Sequence, residues 1–459
     1  MNTKALRQKV LDLAIHGKLV PQNQNDESAT VLLEKIRAEK AEKIKKGELK
    51  ADKKDSFIFV GSDKRHYEQF ADDTIKDIED EIPFNIPEGW AWCRFSEVSI
   101  NRDSERKPVN SSNRKNVKKI YDYYGAAGVI DKVEEYLFDE KLLLIGEDGA
   151  NLLSRTKNNA FIACGKYWVN NHAHVIDCFD KSMLDYLCYY INAITLDEYI
   201  TGSAQPKFTQ KALNDLLLPL PALKEQQRII NTIERFFAKI DELELNKTYI
   251  QTAIKQAKSK ILDLAIHGKL VPQDPNDEPA EELLKRIATS DNRPYEKVEL
   301  SEIDWTLPNN WCFCHFGDIA TVINGKNQSK VENPNGKYPI YGSGGIMGRA
   351  DDYICPENCT IIGRKGSINN PIFVEEKFWN VDTAFGLSPS EAVLPRFLFY
   401  FCEYFDFTTL DSSTTLPSLT KTNIQQIIFA LPPIEEQKRI LDKTNELFRK
   451  LDEIVLNLI

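Results

Sequence analysis

The sequence has no apolar run near the roughly 20 residues that a membrane-spanning helix requires, and its N-terminus lacks a signal-peptide pattern. We therefore expect a soluble, cytoplasmic protein without membrane contact. With 459 residues, 42% of them hydrophobic, the chain can form more than one globular domain. The net charge of −10 argues against a uniformly basic nucleic-acid-binding protein, although net charge hides how the charges are distributed.

Cysteine is sparse, with nine residues scattered through the chain. The pairs nearest to a metal-binding spacing are Cys312 with Cys314 and Cys355 with Cys359. Neither has a second pair at the distance of a zinc ribbon. The sequence therefore predicts reduced, mostly buried thiols and no metal site.

Motifs for nucleotide chemistry are also missing. There is no Gly-x4-Gly-Lys-Ser/Thr phosphate loop, and no Asn-Pro-Pro-aromatic or Asp-Pro-Pro-aromatic motif that would bind an amino group for methylation. The glycine-rich stretch from Tyr341 to Gly348 lacks the spacing of a nucleotide fold and is interpreted as a turn. His16 and His267 precede a glycine at a predicted helix end, where a histidine usually bonds to the last carbonyl groups. We predict no catalytic residue and no cofactor bound by this chain.

A repeat dominates the sequence. The twelve residues LDLAIHGKLVPQ occur at Leu11–Gln22 and again at Leu262–Gln273, and a second echo has an offset of 211 positions. Internal repeats of this kind define architecture. The second echo aligns Leu220, Pro221, Glu225, Gln226, Arg228, Ile229, Phe237, Asp241 and Glu242 with Leu431, Pro432, Glu436, Gln437, Arg439, Ile440, Phe448, Asp452 and Glu453.

The central segment therefore matches both chain ends, with Ile459 corresponding to Thr248 and Met1 to Thr252. Apolar residues recur in it at steps of three and four, and residues 224–267 contain no Gly or Pro. This pattern predicts a helix about 65 Å long, which needs a partner for its single apolar seam. We expect the two termini to form that partner, in an antiparallel coiled-coil pair. The seam is Ile230, Ile233, Phe237, Ile240, Ile250, Ile254, Ala257, Ile261 and Leu264.

Two globular segments share weaker echoes. Ile86–Trp90 resembles Leu307–Trp311, and Thr209 aligns with Thr420. Short apolar strands mix with helical stretches, which predicts two related α+β units. Further echoes are Tyr124–Val129 with Tyr341–Ile346 and Leu144–Gly149 with Ile361–Gly366; the predicted strands include Ala91–Val98, Leu142–Ile145, Ala160–Ala163, Tyr167–Val169 and His174–Ile176.

These features predict seven segments. They are an N-terminal helix (1–22), a charged helical linker (23–79), a first globular unit (80–219), a central helical region (220–273), a linker helix (274–293), a second globular unit (294–430) and a C-terminal helix (431–459).

Positive charge collects where the two units diverge. Asn101 to Ile120 contains seven Lys or Arg against two acidic residues. Basic loops on a shared scaffold suit phosphate contacts combined with reading of base edges, although ordinary solvated loops are the simpler alternative. The candidate DNA-binding residues are Arg102, Arg106, Lys107, Arg114, Lys115, Lys118, Tyr124, Glu147, Asp148, Arg155, Lys157, Lys326, Lys330, Tyr341, Ser343, Arg349, Arg364 and Lys365.

The two divergent units, the near-identical helical segments and the missing catalytic motifs resemble the specificity subunits of type I restriction-modification systems. The resemblance is most specific at Glu225–Ile229, at Glu436–Ile440 and at the LDLAIHGKLVPQ segments. It implies two target recognition domains that each read half of a split double-stranded DNA site, and helices that set the gap between the halves.

The resemblance also implies partners. Two methyltransferase subunits and an ATP-dependent restriction subunit would supply the chemistry, with S-adenosylmethionine, ATP and Mg on those subunits. Two other classes of function remain open from the sequence: a stand-alone DNA methyltransferase or nuclease, and a non-catalytic coiled-coil adaptor that binds only proteins.

Overall fold

The computed structural model describes residues 2–50, 55–115, 118–202, 204–290, 296–298, 306–410 and 418–457. The chain divides into two compact units, residues 1–245 and 246–459, and the boundary falls inside one continuous helix. Among the described residues, none of the helices is both long enough and apolar enough to cross a membrane. All nine cysteines are free and eight are buried, which confirms the predicted thiols.

The first unit is α+β. Its helices are α1 (Thr3–Ile15), α2 (Ala29–Lys45), α3 (Phe95–Val98), α4 (Ser111–Arg114), α5 (Asn151–Ser154), α6 (Leu184–Ala193), α7 (Gln210–Asn214) and the start of α8 (Leu223–Ile266). Its strands are β1 (Ser56–Val60), β2 (His66–Phe70), β3 (Ile75–Asp77), β4 (Ala91–Arg94), β5 (Ser99–Asn101), β6 (Tyr121–Gly125), β7 (Gly128–Val133), β8 (Phe138–Asp139), β9 (Leu142–Gly146), β10 (Ala160–Ala163), β11 (Lys166–Val169), β12 (Ala173–Cys178), β13 (Ile200–Thr201), β14 (Lys207–Phe208) and β15 (Leu217–Leu220).

The second unit repeats these elements in shorter form. Its helices are the end of α8, α9 (Ala280–Ser290), α10 (Phe316–Ile319), α11 (Pro395–Tyr404), α12 (Lys421–Gln425) and α13 (Ile434–Asn457). Its strands are β16 (Cys312–His315), β17 (Ala320–Asn324), β18 (Tyr338–Gly342), β19 (Gly345–Ala350), β20 (Cys359–Gly363), β21 (Ile372–Val374), β22 (Trp379–Asn380), β23 (Ala384–Pro389) and β24 (Ile428–Leu431).

The sheets of the two units have the same topology. The order β10-β9-β12-β5 in the first unit corresponds to β21-β20-β23-β17 in the second. A second sheet, β7-β6-β11-β8, corresponds to β19-β18-β22, and in both its third strand runs parallel to its second. Every residue of β9 and β20 is buried, because each strand lies between two others at the centre of its sheet. The prediction of two related α+β units is confirmed.

Two local predictions were wrong. Among the described residues of 23–77, α2 is the only helix, because 56–77 form the antiparallel sheet β1-β2-β3. Ile58 of this sheet and the following Ile78 are buried with Trp92. The strand predicted over Ala91–Val98 ends at Arg94, because the chain turns into α3 to bury Phe95 and Val98. The start of the predicted second globular unit, 294–305, lies largely outside the described residues.

Helix α8 is 44 residues long and packs antiparallel to one terminal helix in each unit. In the first unit, Arg7 of α1 pairs with Asp241, while Gln22, farther along the chain, donates to Glu225. In the second unit, Lys258 pairs with Asp452 of α13, while Gln273, farther along the chain, donates to Glu436 near the start of α13. The direction of pairing in each unit is the one predicted.

The predicted seam is correct at Ile230, Ile233, Ile240 and Ile254, which are buried. It is wrong near the end of α8, where Leu262, Ala265 and Ile266 are buried while Ile261 and Leu264 are only half-buried. The reason is that Ala265 and Ile266 pack into the globular core of the second unit, so the buried face follows that core.

The LDLAIHGKLVPQ segments end their helices as predicted. His16 and His267 each place Nδ1 2.7 Å from the carbonyl oxygen four residues earlier. Gly17 and Gly268 have φ of +64° and +63°, a conformation that favours glycine after a helix. A Cβ atom at Gly268 would lie 2.4 Å from Cγ of Pro308, so the glycine also permits close packing on the turn that precedes β16 in the same unit.

Candidate nucleic-acid interface

Several loops meet at one end of the sheets in the first unit. We define this loop cluster as residues 125–128, 147–149, 170–172 and 206–208. Three backbone hydrogen bonds join its parts: Glu147 N to His172 O (2.9 Å), Phe208 N to Glu147 O (2.7 Å) and Asn170 N to Tyr124 O (3.1 Å). The predicted site residues Tyr124, Glu147 and Asp148 are therefore brought together.

The second unit has the equivalent loop cluster, residues 342–345, 364–366, 381–383 and 418–419. Arg364 N donates to Thr383 O (2.8 Å), Leu419 N to Arg364 O (2.9 Å) and Val381 N to Tyr341 O (2.9 Å). These are the same three hydrogen bonds as in the first unit. One backbone scaffold thus presents two different sets of side chains.

The side chains of the first loop cluster form an ion-pair network. Glu147 accepts a hydrogen bond from Arg106 at 2.7 Å and lies 3.3 Å from Lys207 Nζ. Burial raises the pKa of Glu147, but the hydrogen bond from Arg106 and the neighbouring charges outweigh burial, and the net pKa lies below the ordinary value. Glu147 is thus a carboxylate engaged within the protein, whereas Asp148 pairs with the partly exposed His172.

Behind Glu147 lies a buried polar group. His174 is 1% exposed; its Nδ1 is 2.6 Å from Asp103 and its Nε2 is 2.8 Å from the carbonyl oxygen of Phe208. Asp103, Glu147 and His174 offer donor atoms within 4.8 Å of one another, a set that a metal ion could use. However, Arg106 already pairs with both carboxylates. We interpret the group as the support that orients Glu147.

The second loop cluster is cationic. Arg364 lies over the ring of Phe385, 5.6 Å from its centroid, and Phe385 occupies the sheet position of His174. Lys365 is exposed and forms an isolated antiparallel β-bridge with Ser418. The equivalent β-bridge in the first unit joins Asp148 and Lys207. The same loop is therefore acidic in one unit and basic in the other.

The remaining predicted residues differ in their surroundings. Arg102 and Arg114 are engaged by carboxylates within the first unit, Tyr124 and Tyr341 pack against aromatic rings, and Ser343 lies in the turn of the second loop cluster. Arg155 donates to the carbonyl oxygen of Asn192, and its own carbonyl oxygen accepts a hydrogen bond from Lys4 of α1. Exposed cations are Lys107, Lys115, Lys118, Lys157, Lys326, Lys330 and Arg349.

Three residues of the first loop cluster and its support were not predicted from the sequence: His172, His174 and Lys207. The repeat that aligns Thr209 with Thr420 has an offset of 211 positions. Extending this alignment two residues towards the N-terminus aligns Lys207 with Ser418 and would have identified Lys207 as a position where the two units differ. The two histidines carry no such signal, because their role depends on how β12 pairs with β9 and β5.

Comparisons with known proteins agree with this architecture. A family model described as type I restriction modification DNA specificity domain matches residues 87–252 and 308–457. The specificity subunit of the Escherichia coli type I restriction enzyme EcoAI is 26% identical, over 98% of this chain and 90% of that protein. The Escherichia coli EcoEI specificity subunit is 27% identical, over 74% of this chain and 66% of that protein.

Among solved structures, one from work on complex assembly and conformational transition of the type I restriction-modification system has a TM-score of 0.53. It is 17% identical, and the match covers 82% of this chain and 94% of that one. This likeness concerns the fold alone.

Proposed function

The chain belongs to the family of type I restriction-modification DNA specificity subunits, and on that premise we propose that it selects a bipartite DNA site. Each globular unit reads one half of the site in double-stranded DNA. The helices set the number of base pairs between the two halves. The identity of those base pairs is not read.

The observation that carries this proposal is the pair of loop clusters. Both use the same three backbone hydrogen bonds, yet Glu147 and Asp148 in one correspond to Arg364 and Lys365 in the other. Asp148 and Arg364 are the candidates that read bases, because Glu147 is engaged by Arg106 within the protein. A carboxylate accepts hydrogen bonds from the amino groups of cytosine or adenine, whereas arginine pairs with O6 and N7 of guanine. The two units share a backbone scaffold but present acidic side chains in one and basic side chains in the other. This difference suits a DNA site whose two halves differ in sequence.

The chemistry belongs to partners in this proposal. Two methyltransferase subunits dock on the chain, and an ATP-dependent restriction subunit completes the complex. S-adenosylmethionine, ATP and Mg are bound by those subunits, and this chain contributes recognition without a catalytic residue.

The test is to reconstitute the full chain with its methyltransferase subunits, methylate genomic DNA and sequence the modified positions. We expect one motif with two defined halves and a fixed gap. Replacing residues 80–219 by the corresponding domain of another family member should change one half only, and replacing 294–430 should change the other. A change in both halves from either replacement would contradict the proposal.

The two other classes of function give different results. Methyl transfer to DNA by the purified chain without added subunits would make it an enzyme. Absence of salt-dependent DNA binding by the complete complex would make it a protein adaptor, since phosphate contacts release counterions and depend on salt.

A further inference from the structure

Each unit contains a two-stranded ribbon with an exposed apolar tip. The first ribbon is β6–β7 (121–133) and the second is β18–β19 (338–350). At their tips, Val129 and Ile130 are 47% and 56% exposed, and Ile346 and Met347 are 67% and 63% exposed. Large apolar side chains exposed at the same place in both copies indicate an interaction surface.

The two ribbons share a β-bulge at this place. In the first, Tyr123 pairs with Asp131 and Tyr124 with Val129, so Ile130 is the extra residue. In the second, Met347 is the extra residue, between Gly348 and Ile346. A bulge redirects the side chain that it contains, and bulges recur beside functional sites.

Glycine on the opposite strand makes room for the redirected side chain. A Cβ atom at Gly125 would lie 3.1 Å from Cδ1 of Ile130, and one at Gly342 would lie 2.6 Å from Sδ of Met347. The two units differ in most loop residues, yet they share the bulge, the glycine and an exposed apolar side chain.

Charge indicates what the tips contact. Lys132 follows two residues after Ile130 and pairs with Asp122 at 2.7 Å. Arg349 follows two residues after Met347 and donates to the carbonyl oxygens of Gly336 and Lys337. Both residues are exposed, so a phosphate can reach each cation. At a strand rise of about 3.3 Å per residue, each cation lies about 7 Å from the apolar residue along the strand, on the side away from the tip. The major groove of DNA is about 8.5 Å deep and admits a two-stranded ribbon. Phosphates lie at its rims and thymine methyl groups at its floor, so this spacing suits an apolar residue at the floor and a cation at the rim.

The position of the ribbons agrees with this partner. The turn of the first ribbon adjoins Glu147, because a Cβ atom at Gly146 would lie 2.6 Å from the carbonyl oxygen of Ala126. The tip is therefore part of the surface that also presents Asp148.

We propose that each ribbon tip enters the major groove and that Ile130 and Met347 contact thymine C5-methyl groups, one in each half of the site. Lys132 and Arg349 contact phosphates at the groove rim. This inference rests on the proposed reading of DNA. It identifies Ile130 and Met347 as the residues that distinguish thymine, through contact with its C5-methyl group.

The experiment replaces each thymine of the recognised motif by deoxyuridine, which removes only the C5-methyl group. Binding is measured with the full chain in complex with its methyltransferase subunits. We expect the affinity of the wild-type complex to fall about fourfold when deoxyuridine replaces one particular thymine in each half. This is the effect of losing one buried methyl group. The variant Ile130→Ser should lose this sensitivity in one half only, and Met347→Ser should lose it in the other.

Val60→Ser is the matched control, because Val60 is 59% exposed on β1, outside the ribbons. It should leave both sensitivities unchanged. Unfolding midpoints equal to wild type would show that the serine variants fold, as expected for exposed positions.

Wild-type binding that is indifferent to uracil overturns the inference. So does uracil sensitivity that persists in both serine variants. Increased fluorescence of 2-aminopurine placed beside a half-site, without uracil sensitivity, would show insertion between base pairs instead. Each of these outcomes is distinct from failure of the proposed function, in which the wild-type complex would bind no specific DNA.

Discussion

The guanidinium of Arg439 donates two hydrogen bonds to the carboxylate of Asp277, at 3.2 and 2.6 Å. Arg439 is in α13, and Asp277 follows the second LDLAIHGKLVPQ segment, so this pair joins the two halves of the repeated sequence signature. Arg228 and Asp26 form the equivalent ion pair at 2.7 Å in the first unit. The side chain of Asp277 is only 7% exposed, so Arg439 replaces the hydrogen bonds that its carboxylate would make to water.

We predict that Arg439→Ala lowers the free energy of unfolding of the second unit by about 2 kcal/mol. Removing one partner of a fully buried pair costs more, roughly 3 to 5 kcal/mol, but Arg439 itself is 34% exposed. Denaturant unfolding measures the change. Arg449→Ala is the control, because its pair with Glu453 is on an exposed helix face and should contribute less than about 0.5 kcal/mol. Equal effects of the two substitutions would contradict this role.

A second prediction concerns Glu97, which is 4% exposed and pairs with Arg37 at 2.6 Å. Burial raises its pKa to about 7, because desolvation outweighs the charge of Arg37. A carboxyl whose pKa is raised on folding contributes most stability below its unfolded pKa and loses that contribution as pH rises through 7. Glu97→Gln should remove this loss.

The variant should therefore gain stability relative to wild type between pH 5 and pH 8, by up to about 3 kcal/mol. Denaturant midpoints at four pH values in this range give the slope. Glu42→Gln is the control, since Glu42 is exposed and pairs with Lys46 on the surface of α2. A difference between Glu97→Gln and wild type that does not change with pH would show that the carboxyl is ionised in both the folded and unfolded chain.

The repeat was the part of the fold most accessible from sequence, because identity at LDLAIHGKLVPQ and the spacing of apolar residues are local signals. The sheet β1-β2-β3 was not predicted, since its strands follow a charged segment and Ile58 is the one apolar residue buried within them, beside the buried carboxylate of Glu68. The loop clusters were predicted only in part. Their echoes aligned Glu147 with Arg364, but pairing with Arg106 and His174 depends on contacts between strands far apart in the sequence.

A third prediction concerns Arg364, whose guanidinium lies over Phe385 in the second loop cluster. We expect Arg364→Ala to weaken discrimination at one base of one half-site by about 1 to 3 kcal/mol, the range for a bidentate contact with guanine. Competition binding against a library with single base changes measures this. Arg396→Ala is the control, because Arg396 pairs with Glu375 outside the loop cluster. A uniform loss on all sequences would instead identify Arg364 as a phosphate contact.

The last prediction tests whether helix length sets the gap between the half-sites. Leu245 and Tyr249, in the middle of α8, are 70% and 75% exposed, so an insertion after Thr248 disturbs little packing. Four inserted alanines add about 6 Å and slightly more than one turn, which roughly restores the apolar seam beyond them. DNA rises about 3.4 Å per base pair, so the methylated motif should gain one or two base pairs in its gap while both halves keep their sequences. The same four alanines placed between Lys64 and Arg65, in the turn after β1, should leave the motif unchanged. An unchanged gap from the first insertion would show that the helix does not set the spacing, and altered half-sites would show that recognition extends beyond the globular units.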